Sequence, residues 1–108
     1  MNNKYKLRYL PIFYDDLQEA VSYIADTLNN KQAAINLLDM VEKAILERLP
    51  VAESFEIYSS KRERRYPYYR IYVKNYIVFY VVINDAGEKP VMEVRRLVYN
   101  KRNYKSYI

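Results

Sequence analysis

Residues 76–83 read Tyr-Ile-Val-Phe-Tyr-Val-Val-Ile, apolar or aromatic throughout and β-branched at several positions. This pattern suits a central β-strand covered on both faces. The flanks agree. Arg70–Val73 reads as a short strand, and Lys74-Asn75 is a two-residue turn without the favoured Asn-Gly pair. Asn84-Asp85-Ala86-Gly87 contains the only glycine and makes the next hairpin turn, leading into a last long strand over Val91–Val98. Three antiparallel strands in a meander follow from this order.

One further strand and two helices precede the meander. Lys4–Leu10 alternates Tyr5, Leu7 and Tyr9 with Lys4, Lys6 and Arg8, the period-two pattern of a half-buried strand, and Pro11 ends it. Leu17, Ala20, Val21, Ile24 and Leu28 recur at helical spacing, with Asp15, Asp16 and Glu19 placed in the first turn at the positive end of the dipole. Asn29-Asn30 breaks the helix. Ala34, Leu37, Leu38, Val41, Ile45 and Leu49 form a second stripe that Pro50 stops. So short a break predicts an antiparallel helical hairpin.

The expected class is α+β, in the order β-α-α-β-β-β. It has an N-terminal strand, a helical hairpin packed on one sheet face, an antiparallel three-strand meander and a short C-terminal tail that is either helical or extended. No helices remain for the opposite sheet face, which either stays polar or binds something. A chain of 108 residues forms one domain, 1–108, with one core. Mean hydropathy is −0.42, because 14 residues of the apolar 51% are tyrosine.

Composition removes several chemistries. There is no Cys and no His, so there is no disulfide framework, thiolate nucleophile, Ser-His or Cys-His pair, or ordinary zinc site. No cofactor or metal is expected. No apolar run approaches a membrane span, and the N-terminus lacks a signal-peptide core, so a cytoplasmic protein with no membrane partner is expected. Charge is unevenly distributed. Residues 1–60 carry six Lys/Arg and nine Asp/Glu, whereas residues 61–108 carry twelve and four, a net of +8. From Arg95 onward there are five basic residues and no acidic one. Such a dipole favours a polyanion on one side, pointing to nucleic acid or a ribonucleoprotein.

Over nearly its whole length the chain resembles the RelE/ParE superfamily of toxins from type II toxin–antitoxin modules. The resemblance runs from the strand ending at Pro11, through Asp15-Asp16-Leu17 to Tyr23-Ile24, to Ala33-Ala34 and Leu49-Pro50. It sharpens at Tyr69-Arg70-Ile71, at Tyr76–Tyr80 and over 94–104. Members often end the last strand in Arg-x-x-His followed by Gly-Arg-Arg-Asp. Here Tyr99 stands in place of that His, Asn100 of Gly, Lys101-Arg102 of Arg-Arg and Asn103 of Asp. The resemblance implies one of two activities. One branch enters the ribosomal A site and cuts mRNA, and the other poisons DNA gyrase and cuts nothing. In both an antitoxin segment wraps the toxin, and operator DNA is reached only through that complex. A His-dependent mechanism is out of reach for this sequence.

RNA cleavage without metal needs a proton acceptor for the 2′-hydroxyl, charge stabilisation at the phosphorane and a donor for the leaving 5′-oxygen. Arg70, Arg96 and Arg102 are the candidate phosphate grips, since a guanidinium stays charged and binds phosphate in a fork. Parity places Arg96 on one face with Met92, Val94 and Val98, which predicts partial burial and pairing, with Glu93 the partner if a bulge intervenes. Tyr99 and Tyr104, set among cations that lower a phenol pKa, are candidates for proton transfer or base stacking, and Lys101 for phosphate contact or acid. Lys61, Arg62, Arg64 and Arg65 form a basic loop suited to the backbone of mRNA or ribosomal RNA. Tyr5, Tyr9 and the first strand's edge are candidate antitoxin contacts. The leading expectation is a ribosome-dependent mRNA endonuclease. The alternatives are a gyrase-inhibiting toxin without nuclease activity and a degraded toxin homologue that binds antitoxin.

Overall fold

The computed structural model describes residues 4–59, 65–85, 87–102, 104–105 and 108. Strand β1 (Lys6–Tyr9) leads into helix α1 (Pro11–Ser22), a π-helical turn (Tyr23–Thr27) and helix α2 (Lys31–Arg48). A 3-10 turn (Leu49–Val51) and a two-residue strand β2 (Ile57–Tyr58) follow, then β3 (Tyr68–Val73), β4 (Tyr76–Ile83) and β5 (Val91–Tyr99). The sheet order is β1-β5-β4-β3-β2, with β1 parallel to β5 and the other pairs antiparallel. The α+β arrangement with a helical hairpin on one sheet face holds. The sheet gains β2, which residues 51–69 do not announce.

Local chemistry explains the breaks. Pro11 ends β1 and also opens α1, because proline at the first helical position leaves no unsatisfied amide. Asp15 and Asp16 therefore lie beyond the first turn, contrary to the dipole reading. Asn29 takes a left-handed φ of 50°, and the Asn30 side chain caps α2 by accepting the Ala33 amide at 3.0 Å. In the β3–β4 turn Lys74 takes a left-handed φ of 55°, as a two-residue loop demands.

The first core lies between sheet and hairpin. Phe13, Leu37, Val41 and Ile45 pack on Val78, Tyr80, Met92, Val94 and Leu97. Leu38, expected in that stripe, is exposed. Within this layer the Tyr80 hydroxyl donates to the Ala52 carbonyl at 2.6 Å and accepts from Arg48 at 2.9 Å. Arg48 is the last residue of α2 and Ala52 lies just beyond it, so the end of the helix and the chain leaving it are tied to the sheet.

The other sheet face is neither bare nor polar. Ile77, Phe79, Val81 and Val98 lie beneath Tyr58, Tyr66, Tyr104 and the C-terminal Ile108, which is 1% exposed. Phe79 sits in an aromatic cluster, 5.5 Å from the Tyr68 and Tyr104 rings and 5.7 Å from Tyr58. Tyrosine suits this cover, since its ring removes apolar area from water while its hydroxyl stays solvated.

Candidate functional site

A β-bulge decides where the last strand's arginines point. Phe79 is in register with Arg96, but Tyr80 is in register with Val94, so Arg95 is an extra residue. Val94 and Leu97 thereby share the helix-side face, and Arg96 lies opposite Phe79 rather than among Met92 and Val94. Beyond Val94, no strand among the described residues lies beside the outer edge of β5, because β1 pairs only with Val91 to Val94. Asp16 of α1 occupies that edge. Its carboxylate accepts Arg96 Nε at 2.8 Å, Arg96 Nη2 at 3.1 Å and the Leu97 amide at 3.0 Å. The carboxylate partner of Arg96 is thus Asp16, not Glu93.

Glu93, 4% exposed, is instead gripped by Arg8 Nε at 2.7 Å and Arg95 Nε at 2.9 Å. Burial alone raises its pKa, but the two guanidinium hydrogen bonds and their charges outweigh it and hold the carboxyl below its ordinary value.

Five of the six candidate residues for phosphodiester cleavage divide between the two sides of the sheet. Arg70 and Tyr104 lie on the aromatic face. The Arg70 guanidinium is 4.8 Å from the Tyr58 ring centroid and 5.7 Å from that of Tyr72, and Tyr58 lies 6.4 Å from Tyr104. Burial pushes the Tyr104 hydroxyl pKa up, Tyr58 and Tyr72 add to this, and Arg70 only partly opposes it. That direction is opposite to the lowering expected from neighbouring cations. Arg96 is the register partner of Phe79 on the side away from Arg70, so the two arginines flank Phe79 on that face, although the Arg96 guanidinium turns to Asp16 at the β5 edge. Tyr99 and Arg102 lie on the helix side of the sheet. Tyr99 meets Tyr76 edge to face at 5.5 Å, and Arg102 reaches toward Glu19 at 3.9 Å. Lys101 is exposed in the turn after β5.

Lys61, Arg62 and Arg64 lie outside the described residues. Arg65 is exposed, 3.8 Å from Asp85 and 5.2 Å from the Tyr66 ring centroid. Tyr5 is not an available partner surface: it is buried and donates to Glu53 at 2.7 Å. Desolvation first, then that carboxylate, raise its pKa to about 12. Among the described residues, no group of three acidic side chains is placed to hold a metal ion. No helix among them is long and apolar enough to cross a membrane.

The arrangement includes a cleft of about 490 Å³ between the π-helical turn and the β4–β5 end of the sheet. Asp16, Glu19, Tyr23, Tyr76, Tyr99 and Arg102 supply its polar and aromatic lining. Sequence reading assigned Asp16 and Glu19 to the helix dipole and left Tyr23 and Tyr76 unassigned. The recoverable signal was the Asp15-Asp16-Leu17 to Tyr23-Ile24 stretch, which the family resemblance singled out.

No curated protein sequence matches the chain. Among solved structures, a chain of the archaeal RelE–RelB complex from Pyrococcus horikoshii is similar at 19% identity, covering 92% of this chain and 98% of that one, with a TM-score of 0.43. A family model described as the ParE toxin of the type II toxin–antitoxin system parDE matches residues 7–104. The chain belongs to this family and is a toxin of a type II toxin–antitoxin system within the RelE/ParE superfamily.

Proposed function

We propose that this toxin acts by binding its target, DNA gyrase, and not by cutting mRNA on the ribosome, and that a cognate antitoxin neutralises it. The observation that carries the reading is that the candidate phosphate grips and proton carriers do not converge. Phosphoryl-transfer catalysis needs phosphate grip and proton carriers converging on one phosphorus. Here Arg96, which flanks Phe79 on the same face as Arg70, has its guanidinium committed to Asp16, while Tyr99 and Arg102 lie on the helix side of the sheet, away from Arg70 and Tyr104. Tyr104, with its raised pKa, is a poor base at neutral pH.

A binding mode needs exposed apolar surface instead. The hairpin offers Ile12 and Tyr14 on α1 and Ile35, Leu38 and Leu46 on α2, all exposed. Exposed apolar side chains of this kind suit a protein partner, gyrase or antitoxin.

One observation favours the ribosomal alternative: Arg70, Tyr58 and Tyr72 form a cation–aromatic cluster able to stack a splayed base. Purified toxin added to DNA supercoiling reactions and to ribosomes programmed with mRNA separates the two. Inhibited supercoiling with intact mRNA supports the gyrase reading. Ribosome-dependent mRNA cleavage with unimpaired supercoiling overturns it.

A further inference from the structure

The cleft between the π-helical turn and the end of the sheet plays no part in the reading above, and its chemistry selects a particular guest. Three tyrosine rings line it. Tyr23 and Tyr99 are exposed, and Tyr76 lies edge to face with Tyr99 at 5.5 Å. Of the two carboxylates, Asp16 is saturated by Arg96 and the Leu97 amide. Glu19 is not: its side chain is 74% exposed, and the Arg102 guanidinium stands 3.9 Å away, beyond hydrogen-bond length.

Arg102 already shows what the cleft attracts. Burial pushes up the Tyr76 hydroxyl pKa, Tyr99 and Tyr23 add to this, and Arg102 opposes it, so all four groups lie within electrostatic reach. Aromatic rings and an unsaturated carboxylate together favour a cation. Arg102 is itself largely exposed and loosely held, and can be displaced. The walls are built for access. The π-helical turn, closed by the Leu28 amide on the Tyr23 carbonyl at 3.0 Å, carries Tyr23 and Ile24 into the cleft. Such turns often mark functional sites.

We propose that this cleft is a receptor for an arginine or lysine side chain presented by a protein partner. Arg102 occupies it in the free chain and gives way when the partner docks. The inference does not depend on which protein the toxin poisons.

The test is an NMR titration of the full chain with N-acetyl-arginine methylamide, following the Leu28 and Leu97 methyls and the Tyr23, Tyr76 and Tyr99 rings. N-acetyl-norleucine methylamide serves as the uncharged control. Saturable shifts are expected with the arginine probe and not with norleucine. Arg102→Gln, which removes the internal competitor, should tighten binding roughly three- to fivefold, the size of one exposed cation–aromatic contact. Glu19→Gln should weaken it by a similar factor. Tyr99→Phe should leave binding intact, because the ring and not the hydroxyl makes the contact, whereas Tyr99→Leu should weaken it roughly three- to fivefold. Equal response to norleucine, no response to either probe, or no tightening in Arg102→Gln would overturn the proposal.

Discussion

Asp16 and Arg96, eighty residues apart, are joined by two hydrogen bonds of 2.8 and 3.1 Å, and the same carboxylate takes the Leu97 amide at 3.0 Å. The pair closes the β5 edge where β1 stops. Asp16→Ala leaves a half-buried guanidinium and an edge amide without this acceptor, and should destabilise by about 2–3 kcal/mol. A cycle with Arg96→Ala should give a coupling of about 1–3 kcal/mol, read from urea unfolding. Additive single effects would show that the pair contributes nothing of its own.

That contact changes how an inactive Arg96→Ala variant is to be interpreted. Its toxicity should fall in step with its stability, with the soluble folded fraction measured alongside. Tyr104→Phe keeps the ring on Phe79 and should remain fully toxic. A well-folded Tyr104→Phe chain without toxicity would restore a proton-transfer role.

Glu93 gives the fold a defined acid sensitivity. Its carboxyl pKa is lower in the folded chain than in the unfolded one, because Arg8 and Arg95 favour the charged form more than burial disfavours it. Its contribution is therefore complete above the unfolded value near 4.3 and is lost as pH falls through the folded value. Glu93→Gln should cost about 1–2 kcal/mol at neutral pH, and this difference should shrink as the pH drops below about 4. Urea unfolding of both chains across that range tests it. A difference independent of pH would contradict the charge argument.

Tyr5 sets the alkaline limit. Its folded pKa is raised to about 12, so its contribution is complete below the unfolded value and fades as pH rises toward that figure. Tyr5→Phe removes the Glu53 hydrogen bond and should cost about 1 kcal/mol at neutral pH. Between about pH 10 and 12 the variant should lose less stability than the parent chain, which alkaline unfolding curves would show.

Ile108 holds the cover over the second sheet face. Ile108→Ala should destabilise by about 2 kcal/mol and expose the Phe79 cluster to a hydrophobic dye. Unchanged dye binding would mean the tyrosines alone keep that face dry.

The strands and helices with strong local pattern were legible. Tyr76–Ile83 is apolar or aromatic throughout, and α2 buries Ala34, Leu37, Val41 and Ile45 at regular spacing. Two residues, Ile57 and Tyr58, carry no period, so β2 could not be read. The bulge at Arg95 leaves no mark in composition, yet it moves Arg96 off the face that strict alternation predicts. The cover of the second face was missed because tyrosine in a basic tail reads as surface, whereas Tyr104 and Ile108 fold back onto Phe79. The Asp16 contact is non-local, and no spacing rule finds it.

If the toxin acts by binding and does not cleave RNA, as proposed, mapping mRNA 5′ ends in cells expressing the chain, alongside the DNA-damage response, should show a damage response with no new codon-positioned ends. Ends clustered at ribosomal A-site codons, without DNA damage, would contradict it.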